Sequence, residues 1–271
     1  MSFNSKKQLT QFLAEDIGKG DITSALLDKK RITVTIISRE NAIVAGVQYA
    51  KEVFKIKGCS VKVLKKDGTK IKPNQTIMSI TGDAGKILTC ERTALNLLTR
   101  MSGIATQTNQ IVKKIPSKTK IYATRKTAPG LRYFDKEAVE IGGGKKHRLR
   151  LDEMVMIKDN HIAIEDSLLS LIKKAKKKYR KFEVEVENTQ DAILAAKEGA
   201  TIIMLDNFTP AQIKKTIQTL KDQKLRNNVL LEASGGINSK NIGKYGQTGV
   251  DIISVGSITN SVIGIDMSLE I

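Results

Sequence analysis

From about residue 119 the chain settles into one rhythm: a short β-branched run, then a stretch of helical spacing. The runs are "TKIYAT", "MVMI", "FEVEV", "TIIML", "NVLLEA" and "DIISV". Between the later ones lie amphipathic segments such as "TQDAILAAKEGA" and "TPAQIKKTIQTLKDQ", whose Thr and Pro residues stand where helices start. Strands that are apolar on both faces and joined by helices build a parallel sheet with helices covering it. Six such units point to an α/β barrel that is incomplete, since a full one takes eight. A doubly wound open sheet is the runner-up.

The first part of the chain lacks this rhythm. Residues 4–17 have the spacing of a short helix closed by the turn-rich "EDIGKGDIT". "RITVTIIS", "SVKVLK" and "TIMSITG" alternate as half-buried strands do, and "NAIVAG" is a short apolar strand. "VQYAKEVFKIKG" is helical, with Gly58 as its stop. Residues 1–103 therefore read as a small α+β domain, and residues 104–271 as the barrel domain.

Hydrophobic content of 40% and a charged fraction of 27% are those of a soluble globular protein. No apolar run is long enough to span a bilayer, and the N-terminal residues have no signal-peptide core. Cys59 and Cys90 lack metal-ligand spacing and read as free thiols, so the expected location is the cytoplasm. The net charge of +18 raises the question of nucleic acid, but the two parts carry +9 each and no basic tail stands out. The densest run, "KKAKKKYRK", is the solvated end of a helix. A protein that handles small polyanions accounts for the charge equally well.

The strands end alike. Their last residues are Arg125-Lys126, Lys158, Glu187-Asn188, Asp206-Asn207, Ser234-Gly235-Gly236 and Gly256-Ser257. Each ending is charged, or small enough to expose backbone N–H groups. In an α/β barrel all these ends open into one mouth, where active sites lie. Lys158, which closes the apolar run "MVMI", is thus placed to face a ligand.

The chemistry of that mouth is lopsided toward anions. Arg125, Lys126, His147, Arg148 and Lys158 supply cations, and planar Arg suits carboxylates. Glu187 and Asp206, on neighbouring strands, are an expected pair for Mg²⁺ bound together with phosphate and water. Ser234, Gly235, Gly236 and Gly256 form turns whose glycines allow positive φ and whose amides can close on a phosphate, with a helix N-terminus behind them. The expected ligands are two anions, one phosphorylated and one carboxylated.

Nine segments, in order, resemble quinolinate phosphoribosyltransferase: "EDIGKGDIT", "ERTALNLLTRMSGIAT", "TRKTAPGLR", "GGGKKHRLRL", "IKDNH", "VEVEN", "MLDN", "EASGGI" and "SVGSIT". The resemblance covers nearly the whole chain. It implies a small N-terminal α/β sandwich domain beside an open α/β barrel, in an obligate homodimer, with a hexamer left open. The implied reaction joins quinolinate and phosphoribosyl pyrophosphate to give nicotinate mononucleotide, pyrophosphate and CO₂, with Mg²⁺. It also implies that Arg125, His147 and Arg148 grip quinolinate, that Lys126 and Lys158 span both substrates, and that Arg92 enters from the partner chain. Glu187 and Asp206 would hold the Mg²⁺-bound sugar; Ser234, Gly235, Gly236, Gly256 and Ser257 would cradle phosphate. Lys145-Lys146 before His147, Arg150 and Glu153 depart from the usual family pattern. The intact "IKDNH" favours this family over the related ModD-like proteins.

Overall fold

The computed structural model describes residues 4–271. In chain order the elements are α1 (Ser5–Ile17), β1 (Arg31–Ser38), β2 (Ala42–Ile43), α2 (Val47–Ile56), β3 (Ser60–Val63), β4 (Lys70–Ile71), β5 (Thr76–Asp83) and α3 (Ala84–Val112). There follow β6 (Lys120–Ala123), α4 (Arg132–Ile141), β7 (Val155–Ile157), α5 (Asp159–Glu165), α6 (Leu168–Lys178), β8 (Phe182–Val186) and α7 (Thr189–Glu198). The chain ends with β9 (Ile202–Asp206), α8 (Pro210–Asp222), β10 (Leu230–Ser234), α9 (Ile242–Gly246), β11 (Ile252–Val255), α10 (Ser257–Asn260) and β12 (Met267–Glu270).

Two compact units emerge. Among the described residues the first takes in 4–109, 129–143 and 262–271, and the second 110–128 and 144–261. In the first unit an antiparallel sheet runs β12-β1-β5-β3, with β2 and β4 as a separate small ladder. The alternation of "RITVTIIS" places Val34, Ile36 and Ser38 on the buried face of β1. Asn4 caps α1 by accepting from Lys7 N–H at 3.0 Å. Gly58, at φ +83°, stands past the end of α2, where the chain needs a left-handed residue. β12 brings the C-terminal residues into this sheet by pairing with β1, Thr35 opposite Glu270. The sequence break at 103/104 falls within α3, a single helix of 29 residues. Arg100 of α3 holds Asp135 of α4 in a two-pronged pair, 2.8 and 2.9 Å.

In the second unit all six expected runs are strands of one parallel sheet, in the order β6-β11-β10-β9-β8-β7. The order advances one strand at a time in one direction, and the first strand pairs with the last. A doubly wound sheet reverses direction midway, so the barrel reading holds, and the consecutive pair that fails to join is β6 and β7. Helix starts follow the sequence. Ser167 caps α6, Asn188 caps α7, and Thr209 with Gln212 forms a capping box on α8 behind Pro210. Because every strand is parallel, every C-terminal end opens on the same side.

Candidate active site

At those ends lies a cavity of about 670 Å³. β6 leads into Thr124, Arg125 and Lys126, and β7 into Lys158; β9 and β10 contribute Asp206 and Ser234. His147 and Arg148 enter from the segment between β6 and β7, as expected. Arg125 is half-buried, and its Nε has no hydrogen-bond partner. Arg148 is fixed more firmly: Nη1 donates to Met154 O at 3.0 Å, and Nη2 lies 3.0 Å from Met156 Sδ. Burial, and next the neighbouring Arg125 charge, lower the Arg148 pKa. Two guanidinium groups this close are held ready for anionic partners. Arg150 and Glu153, the departures in this segment, are tied locally: Arg150 pairs with Asp152 and Glu153, and Glu153 accepts from Leu149 N–H.

Carboxylates are arranged differently from the sequence expectation. Glu185, not Glu187, lines the cavity. β8 stops at Val186, so Glu187 lies past the strand and is exposed, whereas Glu185 points inward from within it. The Glu185 pKa is raised, first by burial and then by the Asp206 charge, with Lys158 opposing. Two carboxylates crowded in this way are the donor set that a divalent cation would relieve.

The glycine turns are split in character. Gly235 and Gly236 have φ of +90° and +61°. A Cβ on Gly235 would sit 2.2 Å from Asn207 Oδ1 and 2.7 Å from its backbone N, so this turn requires glycine. Gly256 has φ −70° and needs no left-handed backbone; it is small because Lys126 Cδ passes 3.3 Å from where its Cβ would be. The helices behind these turns, α9 and α10, have only five and four residues, so they add little dipole. Ser257 Oγ is buried without a hydrogen-bond partner. Arg92 lies exposed on α3 of the first unit.

The cavity lining also takes in part of a polar group that the strand-end pattern did not reveal. Glu183 of β8 and Glu232 of β10 are fully buried. Their Oε2 atoms approach His147 Nε2 at 3.3 and 3.5 Å, close but off the line of a hydrogen bond. Burial alone would depress the His147 pKa, but the two carboxylates outweigh it and push it up to about 9. Against a second ring proton stands Arg148 N–H, which donates to His147 Nδ1 at 2.7 Å. Geometry decides here, and the ring proton is assigned to Nε2. Glu183 itself is pushed above the usual carboxylate range by burial. The signal was present in the sequence: "FEVEV" and "LLEAS" carry acids at inward parity within otherwise apolar strands.

Comparison with known proteins agrees with this geometry. Residues 21–102 match the N-terminal domain of quinolinate phosphoribosyl transferase, and residues 104–270 its C-terminal domain. The chain is 44% identical over 271 residues to the probable nicotinate-nucleotide pyrophosphorylase [carboxylating] of Methanothermobacter thermautotrophicus, covering 97% of each. It is 38% identical to the nicotinate-nucleotide pyrophosphorylase [carboxylating] of Mycobacterium leprae, covering 98% of this chain and 97% of that one. Among solved structures, the nicotinate-nucleotide pyrophosphorylase of Francisella tularensis superposes with TM-score 0.91 at 39% identity, covering 98% and 95% of the two chains. That of Ehrlichia chaffeensis gives 0.93 at 36% identity, covering 100% and 99%. An antiparallel-sheet unit, an open parallel barrel with arginines, lysines and paired carboxylates at its mouth, and full-length similarity together place this chain in the quinolinate phosphoribosyltransferase family.

Proposed function

We propose that the barrel-mouth cavity performs the family's reaction, quinolinate plus phosphoribosyl pyrophosphate to nicotinate mononucleotide, pyrophosphate and CO₂. The observation that carries this reading is the gathering of Arg125, Arg148 and Lys158 with Glu185 and Asp206 in one cavity. Arg125 and Arg148 hold the two carboxylates of quinolinate and so orient its ring nitrogen. Lys158, with Lys126 at the rim, spans to the pyrophosphate. The turns at Ser234–Gly236 and Gly256–Ser257 offer N–H and hydroxyl groups to the sugar phosphate.

The ring nitrogen forms a bond to the sugar C1 as the C1–O bond to pyrophosphate breaks, and pyrophosphate leaves with that electron pair. Positive charge develops at C1 in an oxocarbenium-like state, which the Glu185 and Asp206 carboxylates offset. The C–CO₂ bond beside the quaternary nitrogen then breaks with its electron pair left on the ring carbon, stabilised by the adjacent positive charge; CO₂ departs, and solvent supplies a proton to that carbon. Positioning does most of the work and no general base is needed for the transfer. Glu185 and Asp206 are the residues that would hold Mg²⁺, which when bound neutralises charge on the sugar pyrophosphate. His147 lines the same cavity, but both of its ring nitrogens face protein groups, so its part in recognition is indirect.

Substrate binding also draws on a second copy of the chain. In this reading the protein is a cytoplasmic homodimer, and the exposed Arg92 of one chain completes the site of the other. The assay is purified protein with quinolinate, phosphoribosyl pyrophosphate and Mg²⁺, scored for nicotinate mononucleotide and CO₂. Turnover of nicotinate in place of quinolinate would overturn the assignment. Lys158→Ala should nearly abolish turnover without shifting the melting curve, since a mouth lysine supports no core.

A further inference from the structure

Why should a barrel bury two glutamates at its active site? Glu183 and Glu232 are wholly removed from solvent, and none of their four carboxylate oxygens accepts a hydrogen bond. Buried, poorly paired carboxylates are costly and persist where they serve a site. With His147 Nε2 they form a cluster whose donor atoms lie within 4.8 Å of one another, a spacing that would suit a metal ion. The ring decides against a metal. A ligating histidine offers one lone pair to the metal and donates its other N–H outward. Here Nδ1 faces an N–H donor, Arg148 at 2.7 Å, so the ring proton occupies Nε2 and no lone pair points at the glutamates.

We infer that Glu183 and Glu232 are positioning residues for anion recognition: facing the Nε2–H of His147 at 3.3 and 3.5 Å, they draw the ring toward them electrostatically and through it set Arg148. The linkage is short. His147 has φ +51°, an uncommon conformation for a residue other than glycine, and Arg148 N–H is bonded to the ring itself. Fixing the ring therefore fixes where the Arg148 side chain departs, and Met154 O and Met156 Sδ hold its far end. Tyr122 closes the site around the ring by packing edge-on at 5.6 Å. Glu232 also lines the cavity with Arg125 and Arg148, where an acidic side chain moderates the repulsion between those cations. This inference rests on the reading of the cavity as the quinolinate site.

Two measurements test it. Histidine appears only twice in the chain, so the ¹⁵N spectrum of the imidazoles holds two patterns, which His161→Gln separates. In wild-type protein His147 should carry its proton on Nε2, with Nδ1 bare. A proton on Nδ1 with bare Nε2, or a ring pattern that changes on adding Zn²⁺ or Mn²⁺, would overturn the inference in favour of a metal site, and protons on both nitrogens would overturn it by breaking the link from Arg148 N–H to Nδ1. Glu183→Gln and Glu232→Gln should raise the KM for quinolinate on the order of 10- to 100-fold, leaving kcat and the KM for phosphoribosyl pyrophosphate little changed. Glu232→Asp, which keeps the charge, should recover part of the loss. Equal losses for both substrates, or a lowered melting temperature with unchanged quinolinate KM, would mark the glutamates as merely structural. Should the Gln variants fail to fold, the wild-type ring pattern still decides. A wild type that ignores quinolinate would sink the site assignment instead, and the ring measurement is independent of it.

Discussion

Glu183, Glu185 and Glu187 share a parity on one strand but not a depth. Parity is what a sequence shows; depth depends on where the ladder stops, and β8 stops at Val186. Glu183 is thus in the core, Glu185 at the cavity and Glu187 in solvent. Glu185→Gln should lower kcat/KM for phosphoribosyl pyrophosphate by roughly 100-fold or more, while Glu187→Gln should leave it near wild type. The reverse ranking in a steady-state assay would return the role to Glu187. That Arg125, Arg148, Lys158 and Asp206 line the cavity was legible in the sequence, because each closes an apolar run or follows a glycine-rich turn. His147 was legible as a cavity residue but not in its geometry, since its neighbours Glu183 and Glu232 come from strands far along the chain. A last residue-scale expectation concerns the thiols. Cys59 and Cys90 are both buried, and burial pushes the Cys90 pKa up to about 12. Native protein at pH 8 should therefore react slowly with a thiol reagent at both sites, and denatured protein rapidly. Prompt native labelling would contradict the burial.

Elements that repeat a local pattern were readable; those defined by distant partners were not. All six barrel strands announce themselves through β-branched runs and glycine or charged stops. α3 runs on past the 103/104 boundary read from the sequence, because Gly103 does not interrupt it. That glycine is needed for close approach: a Cβ there would lie 2.0 Å from Ile263 O, a backbone atom that cannot swing aside. Gly103→Ala should cost about 2–3 kcal/mol through overpacking, read as a lowered melting temperature. Gly243→Ala in α9 is the matched control, since its nearest neighbour would be Lys114 O at 3.8 Å. It should be neutral or slightly stabilising, by up to about 1 kcal/mol. Similar losses for both would mean that helix propensity, not the contact with Ile263, governs the effect. β12 had no strand signal strong enough to place it beside β1, because that pairing joins opposite ends of the chain.

For the whole molecule, the proposed sharing of Arg92 makes a prediction that a single chain cannot satisfy. Arg92→Ala and Lys158→Ala variants, each inactive, would be unfolded and reassembled together. In a mixed dimer one barrel keeps its own Lys158 and receives an intact Arg92, while the other site has both defects. About half the dimers would be mixed, so activity should return to about a quarter of wild type. No recovery, with mixed dimers confirmed by mass, would place Arg92 within its own chain's chemistry. The barrel's incompleteness has a further consequence. β6 and β7 do not pair; instead Lys145 bridges to the free edge of β6, and the residues from 146 to 154 cross to β7 outside any strand ladder. His147 and Arg148 therefore ride on a stretch whose length and composition can drift without breaking sheet hydrogen bonds, as Arg150 and Glu153 already illustrate. Asp206 and Ser234, locked in register on adjacent strands, have no such freedom. Over generations, selectivity for the acid can be retuned at the gap while the machinery for the sugar phosphate is inherited unchanged.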